Sequence, residues 1–184
     1  CLYDSLMDHK LLEELPSTAE AIDVGKRCGA HSKQQQVITD LLCDRARRGK
    51  KVVRLKGGDP GIFGRLTEET TALEELQIAY RVIPGISALQ AATTGTGMLL
   101  TRRDVSRGFV ALTPRAAAGK LAPCDANEKS TLPIVYYMSI KAMDHITKEL
   151  LNDGYLKSTP VAVIYNAGGL DLSLIHISEP TRPS

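Results

Sequence analysis

The run Gly57-Gly58-Asp59-Pro60 is the strongest chemical feature of the sequence. Glycines that follow a strand let backbone N–H groups approach a ligand without obstruction by side chains. Asp59 adds a carboxylate that would accept hydrogen bonds from an amine or a ribose and favour a nearby cationic centre. The other interpretation is a tight turn in which Asp59 caps the following helix. The spacing matches neither glycine-rich phosphate-binding motif, which disfavours binding of nucleotide phosphates.

Basic side chains form two groups beside predicted turns. Guanidinium groups suit carboxylates because they present parallel donors in one plane, so a substrate with several carboxylates would explain both groups. Solvated surface charge is the alternative interpretation for each side chain. The groups are Lys26 with Arg27, and Arg102 with Arg103 and Arg107.

Acid–base candidates are fewer. Asp4 and Asp23 qualify by residue type alone, and His31 suits a loop or a helix cap equally well. The sequence contains no Ser/His/Asp arrangement and no ligand spacing typical of a metal site. The four cysteines are scattered without a Cys-x-x-Cys pair, which removes the basis for a zinc ribbon or a redox dithiol. We therefore expect no metal cofactor.

Composition limits the partners of the chain. Its 184 residues are 43% hydrophobic and 24% charged, the balance of a globular protein with one ordinary domain or two small ones. The net charge of +2 gives no basis for nucleic-acid binding, and no apolar run approaches the roughly 18 residues that span a bilayer. We expect neither a nucleic-acid nor a membrane partner. The cysteine usage suits the cytoplasm, although sequence ahead of Cys1 would decide whether an organelle-targeting segment exists.

Short β-branched runs alternate with longer helical stretches, which predicts an α/β fold with βαβ units around a largely parallel sheet. The clearest helix is Gln34–Arg48, because its apolar residues share one face and Gly49 follows as a C-terminal cap. Further helices are predicted at Leu6–Leu15, Leu66–Leu76, Pro84–Thr96 and Ile140–Leu151. Strands are predicted at Ala21–Val24, Lys51–Leu55, Tyr80–Ile83, Phe109–Thr113, Pro133–Met138 and Val161–Tyr165.

The charged segment Thr101–Gly108 separates two α/β blocks, and we place the domain boundary there. The first domain then covers residues 1–105, and a partial second α/β domain covers residues 106–171. Ala116–Thr131 is rich in small and polar residues and is predicted to be a long connection. The segment 172–184 breaks the preceding pattern and resembles a translated sequencing adaptor, so we exclude it from the fold prediction. A genuine disordered tail is the alternative.

The run VVRLKGGDPGIFGR at Val52–Arg65 resembles the characteristic motif of the uroporphyrinogen-III C-methyltransferases, within the tetrapyrrole methylase superfamily. Shorter motifs reinforce this resemblance in the expected order, and together they cover essentially Leu2 to Gly168. They are YDSL at Tyr3–Leu6, IDVGKRCGAHSKQQQ at Ile22–Gln36, IPGISAL at Ile83–Leu89, GMLLTRR at Gly97–Arg103, IVYYM at Ile134–Met138 and PVAVIYNAG at Pro160–Gly168.

The resemblance implies a two-domain α/β enzyme, usually a homodimer, with the ligand cleft between its domains. Such enzymes transfer two methyl groups from S-adenosylmethionine to ring carbons of uroporphyrinogen III, giving precorrin-2 on the way to siroheme or cobalamin. Asp4 matches the family's proposed proton acceptor and Lys26 its proposed proton donor. The residues that match the methyl-donor site are Gly57, Gly58, Asp59, Ile62, Ser87, Ala88, Met138 and Ala167. Arg27, Arg102, Arg103 and Arg107 are hypothesised to bind the carboxylates of the substrate.

The chain also departs from the family pattern. The family's first glycine loop, of the form GxGPGDP, precedes the aspartate matched by Asp4 and is missing from residues 1–105, together with the first strand. Gly61 stands where the family usually has a bulky residue, Arg102 where a histidine is common, and Thr113-Pro114-Arg115 where Thr-Gly-His is usual. Two alternatives stay open. One is another methylase of the superfamily, acting on a later corrin precursor or on diphthine, and the other is an inactive fragment that only folds or dimerises.

Overall fold

The computed structural model describes residues 1–25, 35–114, 132–169 and 173–176. Helices and strands are interspersed along these ranges, which agrees with the predicted α/β class. Packing divides the chain into two compact units, Cys1–Ala88 and Leu89–Ser184. This division falls ahead of the domain boundary predicted at Thr101–Gly108, which stays a prediction. Within the described ranges, no helix is both long enough and apolar enough to cross a membrane.

A three-stranded parallel sheet organises the first unit. Strand β1 (Leu2–Tyr3) lies in the centre, between β2 (Ile22–Asp23) and β3 (Arg54–Leu55). In both pairings Leu2 is opposite the first residue of its neighbour. Because parallel strands end at the same edge, the residues that follow β1 and β3 come together there.

Two helices pack against this sheet. Helix α1 (Gln35–Arg47) ends with basic residues in its last turn, and Gly49 follows it with a φ of 73°, as a C-terminal cap requires. Helix α2 (Leu66–Glu75) begins with Glu68 and Glu69 in its first turn. The sheet and both helices contribute to one apolar core, which contains Leu2, Val24, Ile38, Leu42, Cys43 and Leu73.

Two predicted elements of this unit differ in the structure. The helix predicted at Leu6–Leu15 is a 3₁₀ helix over His9–Glu14, where the side chain of Asp8 caps the first turn. The strand predicted at Tyr80–Ile83 is wrong, because no described strand pairs with it. A β-branched composition favours extended backbone, but a strand also needs a partner edge. The Tyr80 hydroxyl instead donates a hydrogen bond to Glu74.

The second unit contains two small sheets and a helix with a buried face. That face includes the buried side chains of Ala142, just ahead of the helix, and Ile146. Its first sheet pairs two parallel strands and its second pairs two antiparallel strands. The elements are α3 (Ala88–Thr94), which begins at the junction of the units, β4 (Val110–Leu112), β5 (Ile134–Tyr136), a 3₁₀ turn (Ile140–Ala142), α4 (Met143–Asn152), β6 (Ala162–Tyr165) and β7 (Ser173–His176).

The helix predicted at Pro84–Thr96 is shorter, over Ala88–Thr94, because the backbone of Gly85 is bound by Asp59 in a loop ahead of the helix. The other helices appear close to their predicted bounds, and the strands are shorter than predicted. Strand β7 falls within 172–184, the segment interpreted as a non-native tail, and it pairs antiparallel with β6. The interpretation of the origin of that segment stays a prediction. The connection predicted at Ala116–Thr131 lies outside the described residues.

Candidate functional site

The glycine turn, residues Gly57 to Gly61, follows β3 at the carboxyl edge of the first sheet. A Cβ on Gly57 would lie 2.9 Å from the Cβ of Leu6 and 3.0 Å from its carbonyl oxygen, so the backbone passes too close for a side chain. Gly58 has a φ of 75°, in the left-handed region that favours glycine. Glycine is therefore required at position 57 because the chain passes close to Leu6, and it is favoured at position 58 because of the positive φ.

A second loop, Pro84 to Ser87, packs directly against the glycine turn. A Cβ built on Gly85 would lie only 2.4 Å from the carbonyl oxygen of Gly58. A Cβ on Gly58 would in turn lie 3.6 Å from the carbonyl oxygen of Ile86. The two loops thus meet backbone to backbone, which is possible because Gly85 carries no side chain.

Asp59 joins these two loops. Its Oδ1 accepts a hydrogen bond from the backbone N–H of Gly61 at 2.8 Å, and its Oδ2 accepts one from the backbone N–H of Gly85 at 3.0 Å. A carboxylate that accepts two backbone hydrogen bonds holds both donors in fixed positions. The tight turn is thus confirmed for one oxygen, but the predicted helix cap is wrong, because α2 begins after Arg65 without a side-chain cap. The other oxygen reaches a segment 26 residues away.

The other predicted donor-site residues of the first unit lie in the second loop or directly after one of the two loops. The backbone N–H of Ile62 donates to the carbonyl oxygen of Asp59 at 3.2 Å, while the Ile62 side chain is 47% exposed. Ser87 is buried, and Ala88 begins α3. Ile86, within the second loop, is 73% exposed. The pair of loops therefore presents apolar side chains on an otherwise backbone-built surface.

Asp4 follows β1 and lies beside the start of the glycine turn. Its Oδ1 accepts from the backbone N–H of Leu6 at 3.1 Å, and its Oδ2 accepts from that of Gly57 at 3.4 Å. Its side chain is 21% exposed. The structure thus brings Asp4, the predicted proton acceptor, next to the glycine turn that is predicted to bind the methyl donor. Lys26 and Arg27, the predicted proton donor and one predicted substrate contact, lie outside the described residues.

A buried ionic cluster behind Asp4 was missed by the sequence analysis. Glu69 is 2% exposed, and its carboxylate accepts from Arg54 Nε at 3.1 Å, Lys56 Nζ at 2.9 Å and Gln35 Nε2 at 3.1 Å. Arg54 and Lys56 are two positions apart in extended backbone, which places both side chains on one face. That spacing, followed by an acidic residue in the next helix, is the sequence signal that could have revealed the cluster.

Glu68, one position before Glu69, forms a separate pair at the surface. Its carboxylate accepts from Arg65 Nε at 2.8 Å. Burial acts to raise the pKa of Glu68, but the hydrogen bond and the positive charge of Arg65 outweigh it, so the pKa lies below its ordinary value. The pair links the end of the glycine-rich segment to the first turn of α2. Both side chains are about half exposed, so its effect on stability is small.

The predicted donor-site residues of the second unit lie in turns that follow strands. Met138 comes after β5 with a φ of 56°, and its side chain is 57% exposed. Its neighbour Tyr137 accepts a hydrogen bond at its hydroxyl from the backbone N–H of Leu89, at the start of α3. Ala167 lies in the turn after β6, which a hydrogen bond from the Gly169 N–H to the Asn166 carbonyl closes at 2.9 Å.

The predicted substrate arginines of the second unit surround a small turn. Backbone hydrogen bonds in both directions join Arg102 and Ser106, at 2.9 and 2.8 Å. Arg102, Arg103 and Arg107 are all exposed. Within the described part of the chain, no ion pair engages their guanidinium groups. The structure therefore groups these three cations at one surface turn.

Residues 2–177 match the family model of the Tetrapyrrole (Corrin/Porphyrin) Methylases. The chain belongs to this family. Membership confirms the resemblance that the motifs between Tyr3 and Gly168 indicate. This methylase is 41% identical over 165 residues to a uroporphyrinogen-III C-methyltransferase of Methanocaldococcus jannaschii, a match that covers 89% of the chain and 68% of the relative. It is 38% identical over 170 residues to a siroheme synthase of Psychrobacter sp. strain PRwf-1, covering 90% of the chain and 34% of the relative.

Solved structures support the same assignment. This methylase aligns with uroporphyrin-III C-methyltransferase from Thermus thermophilus in complex with S-adenosyl homocysteine, at a TM-score of 0.80 and 31% identity, covering 99% of the chain and 80% of that protein. A cobalt precorrin-4 methyltransferase aligns at a TM-score of 0.76 and 28% identity, covering 95% and 72%. The predicted tetrapyrrole methylase fold is confirmed. The chain spans about a third of the length of the siroheme synthases it matches.

Proposed function

We propose that the protein transfers methyl groups from S-adenosylmethionine to two ring carbons of uroporphyrinogen III, giving precorrin-2 for siroheme or cobalamin. The observation that carries the proposal is the packed pair of loops joined by Asp59, in a chain that belongs to the tetrapyrrole methylase family. The Thermus thermophilus neighbour, complexed with S-adenosyl homocysteine, supports the donor. The Methanocaldococcus jannaschii relative supports the substrate.

The two loops suit a nucleoside sulfonium ligand. Gly57 and Gly85 let the backbone pack closely against Leu6 and against Gly58, so the two loops form a surface built largely from main-chain groups that a ligand can contact. Exposed apolar side chains at Ile62 and Ile86 suit the flat face of a purine. The donor would be held in the first unit by Gly57, Gly58, Asp59, Ile62, Ser87 and Ala88, and in the second by Met138 and Ala167.

The residues around the donor would orient and deprotonate the substrate. S-adenosylmethionine supplies an electrophilic methyl group on its sulfonium. An electron-rich ring carbon forms the new C–C bond as the C–S bond breaks, and holding the two reactants in line supplies much of the acceleration. Asp4 would then accept the proton that the macrocycle loses, and Lys26 would return a proton to the macrocycle where its double bonds rearrange.

Arginines would hold the acidic substituents of the macrocycle. Arg102, Arg103 and Arg107 surround one exposed turn, and Arg27 is the fourth candidate. Planar guanidinium groups bind carboxylates through two parallel hydrogen bonds, so a cluster of them suits a substrate with several carboxylates. We extend the proposal to a homodimer that works in the cytoplasm without a nucleic-acid or membrane partner, which sedimentation velocity and cell fractionation would test.

Methyl transfer in solution tests the proposal. The natural full-length protein would be given isotopically labelled S-adenosylmethionine and uroporphyrinogen III without oxygen, and the products would be followed by mass spectrometry. We expect a doubly methylated product. Asp59→Ala should lose at least about tenfold in donor affinity, because both loops lose their shared acceptor.

Asp44→Ala is the matched control, since it removes a half-exposed aspartate of α1 that pairs with Arg48 just beyond the helix. Its transfer rate should equal that of the wild type. Donor binding without transfer to uroporphyrinogen III would contradict the proposed substrate. In that case transfer to a later corrin precursor becomes the candidate, as the similarity to the cobalt precorrin-4 methyltransferase suggests.

A further inference from the structure

Glu69 is a charged side chain at a position where helices usually bury apolar groups. It is 2% exposed, in the first turn of α2, and its carboxylate has three donors: Arg54, Lys56 and Gln35. The side chains of Arg54 and Lys56 are only 12% and 7% exposed. We call these four residues the Glu69 cluster. A buried carboxylate and two buried cations cost desolvation free energy, and apolar replacements of such groups often leave stability unchanged.

Arg54 connects this cluster to Asp4. Its Nε donates to Glu69 Oε1 at 3.1 Å, while its Nη1 donates to the carbonyl oxygen of Leu55 at 2.8 Å and approaches that of Leu2 at 3.4 Å. Its remaining nitrogen, Nη2, stands 3.9 Å from Asp4 Oδ2. That distance is too long for a hydrogen bond, so the guanidinium is attracted to Asp4 without donating to it.

Glu69 therefore competes with Asp4 for the same guanidinium. The rigid fork of Arg54 is fully engaged at Nε and Nη1, which keeps its third nitrogen away from Asp4. Without the Glu69 charge, Asp4 would be the nearest carboxylate to Arg54 in the described structure. A direct pair would then occupy the oxygen of Asp4 that already accepts from Gly57.

We propose that Glu69 is a positioning residue that holds Arg54 away from Asp4 and so keeps the Asp4 carboxylate available to accept a proton. This inference rests on the proposed function, in which Asp4 is the proton acceptor. Glu69 touches neither the donor loops nor the reacting atoms. Its other cationic partner is Lys56, and its effect on Asp4 runs through Arg54, whose Nη2 stands 3.9 Å from Asp4 Oδ2, so the test varies Glu69 and Arg54 together.

The test is a double-mutant cycle between Glu69→Gln and Arg54→Lys in the natural full-length protein. Glu69→Gln keeps the shape of the side chain and removes its charge. We expect kcat to fall by about tenfold or more, since general base catalysis contributes on the order of 100-fold. The KM for S-adenosylmethionine should stay within about twofold, because the donor loops keep their contacts.

In the Arg54→Lys background, Glu69→Gln should lower kcat by less than about twofold. The lysine ammonium lacks the planar guanidinium group that Glu69 holds away from Asp4, so removing the Glu69 charge has little left to change. Equal fold-losses in the two backgrounds would overturn the inference, as would a rise in KM with unchanged kcat. Glu75→Gln, at an exposed position of the same helix, is the matched control and should leave kcat unchanged.

Folding and function are separated by two further measurements. Binding of S-adenosyl homocysteine to Glu69→Gln, followed by calorimetry, shows whether the variant is folded. If it is not, Glu69→Asp keeps the charge and should retain kcat within about threefold in a folded protein, whereas a loss as large as tenfold would contradict the inference. Wild-type protein that binds the donor but does not methylate uroporphyrinogen III overturns the proposed function instead, before any cycle is measured.

Discussion

Asp59 shows how one carboxylate can join two segments that are distant in sequence. Its two oxygens accept backbone hydrogen bonds from Gly61 and Gly85. The sequence indicates the first contact, because an aspartate two residues before a glycine is typical of a turn. The second contact depends on how the chain returns to the sheet edge, and no local pattern contains that information. Asp59, which the sequence indicates as a ligand contact, thus also links the glycine turn to the second loop.

Arg103 offers a residue-level prediction about the substrate. Arg103→Ala should raise the KM for uroporphyrinogen III by about fivefold, since an exposed ion pair is worth roughly 1 kcal/mol. Steady-state kinetics at fixed donor concentration would measure it. Lys148→Ala, which removes an exposed cation from α4, should leave KM unchanged. An unchanged KM in Arg103→Ala would remove this arginine from the proposed substrate site.

At the scale of elements, the backbone contact between the glycine turn and the second loop predicts the effect of one added methyl group. Gly85→Ala would place a Cβ 2.4 Å from the Gly58 carbonyl oxygen, so the loops must separate. We expect the Kd for S-adenosyl homocysteine to rise about tenfold or more, the equivalent of an overpacking cost above 1 kcal/mol. Calorimetric titration would measure it.

Gly97→Ala is the control for that change. Gly97 has a φ of 77° and no atom within 4 Å of its built Cβ, so alanine there strains the backbone without a collision. It should lower stability by about 1 kcal/mol and leave donor binding unchanged. Equal donor affinities of wild type and Gly85→Ala would show that the two loops need not touch.

Helices could be predicted from the sequence more closely than strands. Helices α1 and α2 differ from their predicted bounds by one residue at both ends and at one end, respectively, because their apolar faces and flanking signals are local. The strands of the first sheet contain only two residues each, so pairing rather than composition defines them. Tyr80–Ile83 has strand composition without a described partner. Glu69 was missed because an isolated glutamate in a helix is usually at the surface.

At the scale of the whole molecule, the core of the first unit provides a probe of donor binding. Cys43 is 7% exposed, and burial raises the pKa of its thiol, as does the charge of Asp40, while Arg47 opposes them. The thiol therefore reacts only after the unit opens. S-adenosyl homocysteine at 100 times its Kd should slow alkylation of Cys43 by about 100-fold, since it stabilises the folded state by about 2.7 kcal/mol.

Peptide mass spectrometry would measure this labelling, with Cys1 as the internal reference because it is only partly buried. Alkylation of Cys1 should change far less on addition of the ligand. In Asp59→Ala the protection of Cys43 should disappear at the same ligand concentration. Protection that persists in this variant would mean that the ligand binds the first unit without the Asp59 link.

The activity of the whole molecule could be predicted only through resemblance. Residue types and spacing alone lead to an α/β ligand-binding protein, because an aspartate and a glycine turn suit many ligands. The long motif at Val52–Arg65 adds the family, and the match over residues 2–177 confirms it. The roles of Met138 and Ala167 remain predictions, since they depend on how residues of the second unit meet a ligand bound to the first.

The strand order of the first sheet means that its central strand is synthesised before either of its neighbours. Strand β1 lies between β2 and β3, and both neighbours are made after it. The guanidinium of Arg54 reaches back to Leu2 across 52 residues of sequence. At about 5–20 residues per second, the ribosome needs roughly 3–10 s to deliver that second neighbour. Throughout this interval one edge of β1 is open to strands of other nascent chains, so crowding on a polysome raises the risk of mispairing there.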